Sequence, residues 1–96
     1  MPQNEDREVD FLNEMKRELD ITWTDDDTDK KVQECIEEGI EVLNGDVGTS
    51  IDFSSDKEAK GLLKTYVRYR WNKSEEYFIE NNLERLLKLE KKYGKV

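Results

Sequence analysis

Apolar positions along this 96-residue chain fall into short stripes with helical spacing rather than the alternation of strands. Residues 9–19 place Phe11, Leu12, Met15 and Leu19 on one side of a first helix, and Ile21 and Trp23 mark the turn out of it. Thr24-Asp25-Asp26-Asp27 has the spacing of a capping box, with Thr24 at the N-cap and a carboxylate three residues on. Three acids in the first turn also suit the positive end of a helix dipole. A second helix is predicted from Asp25 to Leu43, with Val32, Ile36, Gly39, Ile40 and Leu43 on its apolar stripe and Cys35 and Val42 at the margins. Gly39 costs about 1 kcal/mol in helix propensity, so its place in that stripe predicts close approach by another helix.

Asn44-Gly45 and Gly48 end this helix and open a loop to about Ser54. Ile51 and Phe53 either form one short strand or pin the loop to the core. Ser55-Asp56-Lys57-Glu58 is a second capping box and starts the longest helical pattern, read as one helix because neither proline nor glycine interrupts residues 62–80. Ala59, Leu62, Leu63, Tyr66, Val67, Tyr77 and Phe78 share one face of it, Trp71 lies on the edge, and Arg70 and Ser74 sit in the middle. Asn81 and Glu84 offer a third cap, followed by a short final helix in 82–96 with Leu83, Leu86, Leu87 and Tyr93 on one side. The expected fold is a single all-α domain of four helices with a long third helix, a short C-terminal helix and a flexible polar arm over residues 1–7.

Charge sharpens this picture. Charged residues make up 42% of the chain, its mean hydropathy is −1.00, and the net charge is −8. Residues 1–53 hold 17 acids and 5 bases, whereas residues 54–96 hold 7 acids and 11 bases, so the halves carry −12 and +4. The total opposes general DNA binding, because phosphate repels it. The asymmetry calls for either a charged tail or two surfaces of opposite sign. No apolar run approaches the roughly 18 residues of a membrane span. Residues 1–20 hold seven acids and no apolar signal segment, and the lone Cys35 has no internal partner, so a reducing cytoplasm is expected.

The chain contains no histidine, which removes Ser-His-Asp and Cys-His catalysis and histidine-containing zinc sites. Aligning Asp25, Asp27 and Asp29 with the first ligands of an EF-hand puts Lys30 where glycine is needed and Ile36 where a bidentate glutamate is needed. Glu34, Glu37, Glu38 and Glu41 form an acidic surface on the second helix, solvated or facing a partner. Cys35 beside the apolar stripe reads as a packed thiol. Arg70, at the centre of an apolar face, must snorkel or find a carboxylate on another helix or a neighbouring subunit. No catalytic group, metal or cofactor is expected.

Taken in order, DITWTDDDTDKK (Asp20 to Lys31), Leu43-Asn44, Ile51-Asp52-Phe53, LLKTYVRY (Leu62 to Tyr69) and EYFIENN (Glu76 to Asn82) resemble the head–tail connector, or adaptor, proteins of tailed bacteriophages and prophages. The resemblance spans roughly residues 8–93. It implies a helical, non-catalytic virion subunit, built in the host bacterial cytoplasm, of which about a dozen copies form a ring below the portal protein. That ring receives the next connector or tail-completion protein and lets DNA pass without specific binding. Opposite charges on the two halves suit a head-to-tail ring, and Leu83, Leu86, Leu87 and Tyr93 form the expected docking arm. The alternative expectation is a small acidic regulatory protein, or DNA mimic, that binds a basic partner.

Overall fold

The computed structural model describes residues 3–94. They form α1 (Gln3–Glu18), α2 (Asp26–Val47), α3 (Lys57–Trp71), a 3₁₀ turn (Glu75–Tyr77), α4 (Phe78–Asn81) and α5 (Leu83–Lys92), with no strand among them. The all-α class follows from the sequence pattern, but several boundaries move. Residues 3–7, expected as a polar arm, belong to α1, while residues 1–2 and 95–96 lie outside the described residues. The second helix runs past Leu43 and absorbs Gly45. It ends at Gly48, whose left-handed backbone (φ 76°) brings its N–H to the Asn44 carbonyl at 2.9 Å.

All three expected N-caps shift by one residue. Asn82 rather than Asn81 precedes α5 and makes no side-chain cap bond, while at the other two an aspartate outcompetes its neighbouring hydroxyl. Asp25, not Thr24, accepts from the Thr28 amide at 3.2 Å, and Asp56, not Ser55, accepts from the Ala59 amide at 3.1 Å. The largest departure is the long third helix, which stops at Trp71. Asn72 caps the Arg68 carbonyl with its side-chain amide, and Lys73 turns left-handed at φ 59°. The Ser74 amide then reaches back to the Tyr69 carbonyl at 2.8 Å and the Lys73 amide to that of Arg70 at 3.1 Å. These two bonds define a Schellman ending on a residue other than glycine. The same pair closes α1, with Asp20 left-handed at φ 59° and Ile21 bonded to Lys16 at 2.8 Å.

α2 and α3 pack antiparallel at the centre. A Cβ on Gly39 would lie 2.6 Å from Leu63 Cδ1 and 2.9 Å from Tyr66 Cδ1, so the missing side chain is what lets the helices close. Val32, Ile36, Leu43, Leu62, Leu63 and Val67 fill the contact, and Ile51 and Phe53 are buried, pinning the loop to the core rather than forming a strand. Asn44 Oδ1 accepts from the Ile51 amide at 3.0 Å and fixes that loop.

α1 lies on one side, with Met15 buried and two ion pairs clamping its C-terminal end. Lys16 meets Asp29 at 2.7 Å and Lys60 meets Glu14 at 2.9 Å. α5 runs antiparallel to α3, as the contacts Arg85–Thr65 and Tyr93–Asp56 require. The Cα atoms fill a plate of 41 × 35 × 17 Å. A plate leaves broad helix faces toward solvent, and these carry the candidate sites.

Candidate functional site

The row that α5 turns inward is Asn82, Leu86, Leu89 and Tyr93, at i, i+4, i+7 and i+11. Leu86 and Leu89 are both buried, so the expected docking face Leu83, Leu86, Leu87 and Tyr93 is divided by the fold. Leu86 belongs to the core. Tyr93 is half-buried, and its hydroxyl donates to Asp56 Oδ2. Leu83 and Leu87 alone face outward, 50% and 47% exposed, and Ile79 from α4 extends their line at 44%. The sequence grouped the four because Leu89 stands among charged residues, yet its spacing from Leu86 and Tyr93 marks the core row. Tyr77, expected on the core face, is exposed, because the break at 72–74 rotates the following segment.

Phe78 keys that segment to the hairpin. Its ring meets Tyr66 edge-on at 5.0 Å and Tyr69 at 5.8 Å between centroids. A polar clasp holds the far end. Asp56 caps α3 while receiving the Tyr93 hydroxyl, and Lys92 Nζ lies 3.1 Å from its Oδ1. Burial pushes the Asp56 carboxyl upward, but the Tyr93 hydroxyl, the Ala59 amide and the Lys92 ammonium outweigh it and hold the group below its ordinary value. Tyr93 is pushed up to about 12, first by donating to Asp56 and then by burial. The sequence reading missed this clasp. Its one local signal was the acid at 56 opening a helix, with nothing to show that residues 92 and 93 return to it.

Arg70 finds carboxylates within its own chain. Its Nε lies 2.7 Å from Glu38 Oε2 on α2 and 3.1 Å from Glu75 Oε2 beyond the helix break. One of the two partners is the carboxylate on another helix that the sequence called for; at 39% exposure of Arg70 the bridge lies at the surface rather than buried. Glu38 is thereby withdrawn from the acidic row. Glu34, Glu37 and Glu41 remain as exposed carboxylates along α2, with Gln33 Nε2 reaching Glu37 at 3.4 Å.

A cleft of about 450 Å³ opens between α2 and the end of α3, lined by Lys31, Glu34, Cys35, Arg70, Trp71 and Lys73. Cys35 is buried at its edge, and desolvation raises the thiol pKa against the opposing pull of Arg70. A thiol shifted that way stays protonated near neutrality and lacks the activation of a nucleophile.

The acid cluster that opens α2 is occupied structurally, Asp25 by the cap and Asp29 by Lys16. No cluster of three or more carboxylate or thiol groups among the described residues is arranged to hold a metal ion. No helix of the described residues is long and apolar enough to cross a membrane. Comparison with protein-family models, curated proteins and solved structures finds no match to this chain.

Proposed function

We propose that the chain is a structural virion protein, a head–tail connector subunit that forms a ring of about a dozen copies below the portal and joins head to tail while DNA passes through. The reading grows from the ordered segments between Asp20 and Asn82 that resemble that family. The observation that carries it is the division of the surface. One side of the molecule offers the exposed carboxylates Glu34, Glu37 and Glu41 on α2. Another offers the outward face of the second half of α5, where Leu87 stands beside Lys88 and Lys91. A heterologous ring needs two different, complementary surfaces on each subunit, and matched charge sets their register. DNA would pass a lumen of net negative subunits without adhering.

The test is to mix the purified chain with a tailed-phage portal protein and image the mixture by negative-stain microscopy. A second ring stacked on the portal supports the reading. Absence of any portal complex, together with tight binding to a DNA-binding protein, would replace it with the acidic mimic.

A further inference from the structure

The outward face of α4–α5 is ordered by charge along its length. Glu75, Glu76, Glu80 and Glu84 occupy its first half, and Arg85, Lys88, Lys91 and Lys92 its second, with Glu90 the one acid among them. Three of these side chains already have partners in the fold: Glu75 on Arg70, Arg85 on Thr65 and Lys92 on Asp56. Glu80, Glu84, Lys88 and Lys91 are exposed and form no ion pair among the described residues. They line one flank of the exposed Ile79–Leu83–Leu87 stripe in the order acid, acid, base, base.

That order is complementary to its own reverse. Laying the stripe antiparallel on the same stripe of a second copy puts Leu83 against Leu87 and Glu84 against Lys88. The same register puts Glu80 against Lys91. A parallel alignment would set like charges against each other. We infer that this face is a self-association surface, and that the free chain forms an antiparallel two-fold dimer through Leu83 and Leu87 with Glu84–Lys88 pairs on the flank. Two-fold contacts are isologous, so one polarised stripe supplies both halves of the interface. The ten residues of α5 span only about 15 Å at 1.5 Å per residue and α4 adds a single turn, a stripe too short to reach the roughly 1,200 Å² of a standard interface. The dimer is therefore weak and reversible. The inference concerns the isolated chain and does not depend on the connector reading.

Analytical ultracentrifugation of the full chain, from low to high micromolar concentration, tests it. The wild type is expected to shift from monomer to dimer and no further, while Leu83→Glu and Leu87→Glu stay monomeric and keep their helical circular dichroism. Both leucines point to solvent, so neither substitution disturbs the core. Glu84→Lys and Lys88→Glu should each weaken self-association about three- to tenfold, as two symmetry-related exposed pairs allow. An equimolar mixture of those two variants restores both charge pairs and should dimerise at least as well as the wild type. A chain monomeric at every concentration overturns the inference. So does growth beyond the dimer, dimerisation that survives Leu83→Glu, or a mixture that fails to recover.

Discussion

The α2–α3 hairpin and the α4–α5 segment are of similar composition but are held in different ways. In the hairpin, nearly every residue of the apolar stripes is buried and helix meets helix without an intervening side chain at Gly39. The C-terminal segment is fastened at two points, the Phe78 ring among tyrosines and the Asp56–Tyr93–Lys92 clasp, with Leu86 and Leu89 between them. Its other apolar residues, Tyr77, Ile79, Leu83 and Leu87, face solvent. A helix whose stripe is spent on the core specifies a fold. One that keeps half of its leucines outside supplies a surface for another molecule.

The sharpest way to break this contrast is at the aromatic fastening. Phe78→Ala removes a fully buried ring and both edge contacts, and is expected to cost about 3–5 kcal/mol in urea unfolding. A cost below about 1 kcal/mol would show that the segment is held elsewhere. Gly39→Val probes the opposite region. Its side chain would drive into Leu63 and Tyr66 and should cost about 1–3 kcal/mol by overpacking. Most of that penalty should vanish in a Leu63→Ala background, because the two sites share one volume. Additive losses would mean that the hairpin tolerates a side chain at Gly39 by some other shift.

The clasp makes the second fastening dependent on pH. Tyr93→Phe should cost about 1.5–3 kcal/mol near neutrality, the range for hydrogen bonds to charged groups, since Asp56 stays buried with one partner fewer. The folded pKa of Tyr93, about 12, lies above its ordinary 10, so its contribution is complete below pH 10 and is lost as pH rises toward 12. Asp56 is shifted the other way. Its contribution is complete above its ordinary value near 3.8 and is lost as pH falls through the lower folded value. The stability gap between wild type and Tyr93→Phe should therefore close between pH 10 and 12. A gap that stays constant across that range would show that the hydroxyl does not serve the clasp.

How much was legible in the sequence divides along the same line. The hairpin was readable because its order is local and periodic: Val32, Ile36, Gly39 and Leu43 state the stripe, and the glycine within it states the close approach. Asp56 and Tyr93 are 37 residues apart, and no periodicity joins them. The split of the α5 leucines was half visible, since Leu86, Leu89 and Tyr93 keep core spacing while charges around Leu89 disguise it. Arg70's need for a carboxylate was also readable, whereas the choice of Glu38 and Glu75 depends on how the helices pack and on a turn the sequence hid.

That hidden turn gives the smallest and cleanest test. Reading residues 62–80 as one helix assumed that a helix with neither glycine nor proline continues. The chain ends it instead with Lys73 in the left-handed region, where a side chain costs about 1–2 kcal/mol relative to right-handed backbone. Asn72 on the Arg68 carbonyl and Ser74 on that of Tyr69 hold the turn in place, and Arg70 bridging to Glu75 ties its two sides together. Ser74, a polar residue in the middle of an otherwise apolar face, was the signal that the helix had already ended. Lys73→Gly should therefore raise stability by about 0.5–1 kcal/mol, because glycine adopts φ 59° without the Cβ clash, and its greater freedom in the unfolded chain offsets only part of that gain. In a continuous helix the same change would destabilise by about 1 kcal/mol. The sign of one thermal shift thus decides between a hinged C-terminal segment and the unbroken helix that the sequence alone suggested.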